Sequence, residues 1–289
     1  MKGEDRARRP PRKKNVLKKG IYIIPSMFTC GNASFGILSI LASINGETEG
    51  HFIRAAWFLI GALACDIVDG RIARMTKTTS DFGMQLDSLS DLISFGMAPA
   101  MMMYMLVLKE MGKIGVAIAV LYVLCCTLRL ARFNVLAQSG EVKKHFTGLP
   151  TPASAGVLIS FVLSFKLLSP EGYALNAKTI PALQSLMPAF FKIMPVVIVI
   201  LSFLMVSNVP YLSFKKVKMT KVRTIEFFAF LIVLIILIVV YPQNIIFLIF
   251  SIYAISGLVL YVPSIIIRMN SEAKEKKLEE DKKAEENDV

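Results

Sequence analysis

Residues 227–241 read FFAFLIVLIILIVVY and carry no charge. Residues 245–267 follow as IIFLIFSIYAISGLVLYVPSIII, again without one. Runs of this length and composition match the hydrocarbon thickness of a bilayer, about 20 apolar residues per helix. One such run can be a buried helix of a large soluble protein. About eight in one 289-residue chain cannot, because a soluble domain must also cover a polar surface. The whole chain is 55% hydrophobic, with a mean hydropathy of +0.60. The expected fold is therefore an all-α integral membrane bundle of about eight transmembrane helices.

Working back from that stretch, the spans are expected near 24–45, 53–75, 83–107, 114–136, 152–168, 186–206, 224–241 and 244–267. Pro25 and Pro152 suit first turns of helices, and Pro99 is placed to kink the third span. Residues 1–20 form a basic tail with Pro10 and Pro11, suited to anionic headgroups, and not a cleavable signal peptide. Residues 271–289 form a mixed-charge tail. Trp57 and the tyrosines near span ends read as interface anchors.

The net charge is +12, which in a soluble chain suggests nucleic acid. Here the cations lie between apolar spans, and no basic surface is interleaved with stacking aromatics, so nucleic-acid binding is excluded. With the N-terminus inside, 27 of the 33 Lys and Arg residues fall on the cytoplasmic side. That positive-inside bias places both termini in the cytoplasm of a multi-pass cell-membrane protein. Cys30, Cys65, Cys125 and Cys126 all lie in apolar segments and show no zinc or disulfide spacing.

Charged residues within spans are costly and usually functional, and here they cluster. Asp66 and Asp69 are three apart, and Asp87 and Asp91 four apart, so each pair shares one helix face. A short cytoplasmic connection lets the two helices aim all four carboxylates at one place. Solvated helix ends are the alternative, but four acids without cations repel one another. Oxygen ligands favour Mg2+, Mn2+ or Ca2+ over zinc. Gly70 and Gly83 leave the helices bare where a ligand approaches, and Ala73 does so in part. Arg74 offers a fork suited to phosphate. Together these suggest displacement at phosphorus on a nucleotide diphosphate. A cation transporter predicts acids at mid-bilayer and a duplicated architecture, and neither is visible.

The pattern Asp66-x2-Asp69-Gly70-x2-Ala73-Arg74-x8-Gly83-x3-Asp87-x3-Asp91 resembles the full signature of CDP-alcohol phosphatidyltransferases. Chance agreement at eight positions is on the order of 10⁻¹⁰ per starting point at average residue usage. The resemblance implies a core over 21–216, with two additional spans over 217–270. It implies that Asp66, Asp69 and Asp87 ligate one or two divalent ions, Mg2+ or Mn2+ with Ca2+ as an option, that hold the pyrophosphate of a CDP-linked lipid. It makes Asp91 the general base, also able to touch metal. Gly70, Ala73, Arg74 and Gly83 would shape the CDP pocket, and the enzyme would be a homodimer in membrane lipid.

Three further segments bear on the acceptor: IPSMFTCGN at 24–32, RLARFN at 129–134 with FTGLPTP at 146–152, and SNVPY at 207–211 with Lys215 and Lys216. They are similar to the membrane-bound phosphatidylserine synthases of this family. The expected reaction is transfer of the phosphatidyl group from CDP-diacylglycerol to L-serine, with another acceptor such as glycerol 3-phosphate as the rival. Arg129 and Arg132 can reach the site from the fourth span to bind an acceptor carboxylate or phosphate. Headgroup anchoring is the competing role, and it weighs more for Arg129 than for Arg132. Asn134 can cap or bind substrate. Thr29 and Asn32 can contact the nucleotide or pack helices. His145 is a lone loop histidine without an assigned role.

Overall fold

The computed structural model describes residues 16–46, 49–76, 81–138, 146–165, 187–211, 232 and 245–257. Seven helices run through these residues. They are α1 (Val16–Ile44), α2 (Glu49–Thr76), α3 (Asp81–Met111), α4 (Lys113–Gln138), α5 (Thr151–Phe165), α6 (Met187–Val206) and α7 (Ile245–Gly257). The first four are long and apolar enough to cross a membrane, while α5, α6 and α7 contain shorter apolar stretches. The expected span near 224–241 lies outside the described residues except for Ile232, as do residues 1–15 and the tail at 271–289, whereas residues 16–20 of the expected basic tail are the start of α1. The described residues therefore form a helical bundle with four helices long and apolar enough to cross a membrane.

The lipid-facing character shows in what is left exposed. Val116, Val120, Leu124 and Leu128 recur every four residues along α4, and all are exposed. A monomeric soluble protein rarely shows water so long an apolar stripe. In contrast, α5 reads TPASAGVLISFVLSF, apolar or small on every side, and it is buried almost throughout. A helix of that kind belongs in the interior of a bundle. Around it lie Leu59 of α2, Phe95 and Met102 of α3, Tyr122 of α4 and Ile198 of α6, all fully or almost fully buried.

Proline behaves differently at its three positions. Pro152 is the second residue of α5, as expected of a first-turn proline. Pro25 is not in a first turn: α1 begins at Val16, so the proline lies within the helix. The helix already runs through VLKKGIYII before it, and the proline costs α1 a hydrogen bond without ending it. Pro99 perturbs α3 as expected. π-helical turns occupy Leu92–Met97 and Tyr104–Leu108, on either side of it. It cannot donate to the Phe95 carbonyl four residues back. The Tyr122 hydroxyl donates to that carbonyl at 3.3 Å, and Ser154 donates to Tyr122 at 3.1 Å, linking α3, α4 and α5.

A two-residue antiparallel pair, β1 (Phe146–Thr147) with β2 (Pro210–Tyr211), fastens the FTGLPTP segment to SNVPY. Gly148 donates its N–H to Val209 O at 2.9 Å, and Leu149 donates to Leu204 O at 3.0 Å. Gly148 has φ +84°, a left-handed conformation that glycine adopts without strain.

Candidate active site

Three helices build the acid cluster. On α2, Asp66 and Asp69 lie one turn apart, and on α3, Asp87 and Asp91 lie one turn apart. The first helix packs along α2 and also against α3. Gly36 permits the second of these contacts. A Cβ there would meet Ser94 Cα of α3 at 2.9 Å, so only a bare backbone allows the approach.

Because α1 touches both acid helices, one of its faces serves both. Thr29 hydrogen-bonds the Asp69 carboxylate. One turn on, Asn32 donates from Nδ2 to Asp91 Oδ1 at 3.1 Å. Asn32 is fully buried, and its own carbonyl accepts from Ser94 Oγ at 2.8 Å. The IPSMFTCGN segment thus supplies a donor to each acid helix.

One carboxylate oxygen from each of Asp66, Asp69 and Asp87 lies within 4.8 Å of the others. Asp91 lies within electrostatic reach of all three. Asp69 is buried, and its Oδ2 has no hydrogen-bond partner among the described residues. A buried carboxylate oxygen without a donor is costly unless a cation meets it. Three hard oxygen donors at this separation fit Mg2+, Mn2+ or Ca2+. The residues present therefore suit a divalent ion. Beside them, an added Cβ on Gly70 would meet nothing within 4 Å, so α2 is open to a ligand there. Gly83 lies one turn before Asp87. Ala73 and Arg74 belong to α2, but their side chains lie outside the described residues.

The two arginines of RLARFN occupy different surroundings. Arg129 Nη1 donates to Thr151 Oγ1, and its Nε is buried without a partner among the described residues. Its guanidinium interacts electrostatically with Asp91, Cys126 and Tyr253. Arg132 instead donates to Val206 O at 3.3 Å and to Asn208 Oδ1 at 2.6 Å. It caps the C-terminal end of α6, where the helix dipole favours a cation. Asn134 donates to Ser88 Oγ at 2.9 Å and reaches Gln85 at 3.4 Å, tying α4 to α3. His145, Lys215 and Lys216 lie outside the described residues.

Thr151, Asn208 and Tyr253 are the neighbours that reading the sequence did not single out as individual site residues. Thr151 and Asn208 stand inside quoted motifs, so a signal existed. Tyr253 stands in an apolar span and carries none.

The sequence profile of CDP-alcohol phosphatidyltransferases matches residues 22–184. The chain belongs to the CDP-alcohol phosphatidyltransferase family. Among its relatives is a CDP-diacylglycerol–serine O-phosphatidyltransferase of Helicobacter pylori, 37% identical over 68% of this chain and 75% of the relative. An archaetidylserine synthase of Methanothermobacter thermautotrophicus is 42% identical over 49% of this chain and 58% of its own length. A CDP-diacylglycerol–serine O-phosphatidyltransferase of Bacillus subtilis is 34% identical over 49% of this chain and 75% of the relative. As a phosphatidyltransferase the chain is an enzyme, and α2 and α3 carry every aspartate of the family pattern.

Proposed function

We propose that this phosphatidyltransferase moves the phosphatidyl group of CDP-diacylglycerol to the hydroxyl of L-serine, giving phosphatidylserine and CMP. The observation that carries the chemistry is the Asp66, Asp69 and Asp87 cluster facing Asp91. The choice of serine follows the names of the relatives, since two differ in lipid but share that acceptor.

In this reading Asp66, Asp69 and Asp87 hold a divalent ion, which supplies neutralisation of charge on the pyrophosphate as it is cleaved. Asn32 engages Asp91 Oδ1 and fixes the carboxylate, leaving Oδ2 to accept the proton of the serine hydroxyl. The serine oxygen forms a bond to the phosphorus that carries diacylglycerol. The bond from that phosphorus to the bridging oxygen breaks, and the bridging oxygen leaves on CMP. Thr29, Asn32, Gly70, Ala73, Arg74 and Gly83 border the nucleotide. Arg129 receives the serine carboxylate, while Arg132 and Asn134 hold helices in place. The positive-inside charge balance puts this chemistry on the cytoplasmic face of the cell membrane.

Release of CMP from CDP-diacylglycerol, measured with serine, glycerol 3-phosphate or inositol phosphate, tests the assignment. Serine alone is expected to support turnover. Chelation is expected to abolish it, with recovery on adding Mg2+ or Mn2+. Turnover with a different alcohol and none with serine would overturn the acceptor. A homodimer belongs to the same reading and is checked by light scattering in detergent.

A further inference from the structure

The family profile ends at residue 184, yet α7 packs against the SNVPY segment beside the site. Tyr253 of that helix interacts electrostatically with the Arg129 guanidinium. Its ring lies 5.6 Å from that of Tyr211. The Tyr211 hydroxyl donates to Ala254 O at 3.1 Å, which fixes α7 against the SNVPY segment. Gly257 makes room for this contact, since a Cβ there would collide with the Tyr211 ring. From the other side, Thr151 accepts from Arg129 Nη1. Thr151 is itself held, as first residue of α5, behind the Gly148 and Leu149 hydrogen bonds to α6 and SNVPY. Cys126, buried one turn before Arg129, hydrogen-bonds the same threonine.

The consequence lies in the geometry of the guanidinium. Thr151 takes Nη1, and the buried Nε is left without a partner among the described residues. Side-on pairing with a carboxylate uses the edge formed by Nε and Nη2. The protein thus occupies Nη1 and leaves Nε without an acceptor among the described residues, within electrostatic reach of Asp91. An arginine held at one nitrogen by a neutral hydroxyl keeps its charge for a ligand.

We infer that Thr151 and Tyr253 are positioning residues that aim the Nε edge of Arg129 at the acceptor's carboxylate, making the C-terminal helix α7 part of the acceptor pocket. The inference rests on the reading of Arg129 given above. It assigns a role to an element outside the family core and separates serine from acceptors without a carboxylate.

The test is steady-state kinetics of the full-length enzyme in detergent, varying serine and CDP-diacylglycerol separately. Thr151→Val is expected to raise KM for serine roughly tenfold, the usual cost of a hydrogen bond to a charged group. Tyr253→Phe, which keeps the ring, is expected to raise it about threefold. KM for CDP-diacylglycerol should stay unchanged in both. Thr151→Ser keeps the hydroxyl and is expected to restore the wild-type value. Activity with ethanolamine, which lacks the carboxylate, should gain on that with serine in Thr151→Val. An unchanged KM for serine in Thr151→Val and Tyr253→Phe overturns the inference while leaving serine as substrate. Equal changes for both substrates, with a lowered melting temperature, assign these residues to packing alone and also overturn it. If wild-type enzyme turns over another alcohol and not serine, the acceptor reading fails first and the inference falls with it. Should Thr151→Val not fold, the KM for serine of Tyr253→Phe decides.

Discussion

Among the four aspartates, Asp91 differs from the others in its company. It has a buried amide donor, Asn32, while one oxygen of Asp69 has no donor among the described residues. A carboxylate with one oxygen anchored is suited to proton transfer, and a carboxylate with an orphaned oxygen is suited to a cation. Asp91→Asn is therefore expected to lower kcat by about 10²–10⁴-fold, the usual range for a lost general base, with KM for CDP-diacylglycerol nearly unchanged. Asn32→Ala leaves the base but frees its orientation, so kcat should fall roughly tenfold. Stopped-time CMP release at saturating substrates measures both. Wild-type turnover in Asp91→Asn would remove the aspartate from the mechanism. The acids were legible from sequence because their spacing of three and four is a helix face. Their partners were less so. Asn32 and Asp91 are 59 positions apart, and only the close crossing permitted by Gly36 joins them. Linear position likewise does not show which groups hold each arginine, Thr151 for Arg129 and Asn208 for Arg132.

The elements repeat that contrast. Apolar length located α1 to α4 well, because membrane spans are specified by composition over about 20 residues. The helix start at Val16 was missed, since a proline at Pro25 reads equally well as a first turn or as an interior interruption. The pairing of β1 with β2 was also out of reach. It depends on two short segments more than 60 residues apart meeting beneath α6, as the partners Phe146 and Tyr211 show. That pairing hinges on Gly148. A Cβ there would collide with the Met205 carbonyl oxygen, and the φ of +84° is one that alanine adopts only with strain. Gly148→Ala is expected to lower stability by about 1–3 kcal/mol. Thermal unfolding in detergent should show a lowered midpoint. Because Leu149 and Thr151 follow directly, KM for serine should also rise. A variant with an unchanged midpoint would show that the clip flexes without cost.

At the scale of the whole molecule, the question is how deep the chemistry lies. Asp66 stands ten residues before the end of α2 at Thr76, which is about 15 Å along a helix. The apolar stretch of α2 ends at Ile72, so Asp66 and Asp69 stand in its last turns, which suits a lipid substrate whose tails remain in the bilayer. In the proposed topology, with 27 of the 33 cations inside, the Thr76 end of α2 faces the cytoplasm and a polar acceptor enters from there. Two positions at opposite ends of the spans separate the alternatives. Asn45 follows the C-terminal end of α1, and Met75, which is exposed, lies in the last turn of α2. A membrane-impermeant thiol reagent is expected to label Asn45→Cys in right-side-out vesicles and Met75→Cys in inside-out vesicles. Wild-type protein measures the background from the native cysteines, of which Cys125 and Cys126 are buried. CDP-diacylglycerol, by partially filling the site, should slow labelling at Met75→Cys and leave Asn45→Cys unaffected. The reverse sidedness would move the aspartates to the outer face, away from a cytoplasmic supply of serine, and the proposed acceptor would have to be abandoned with the topology.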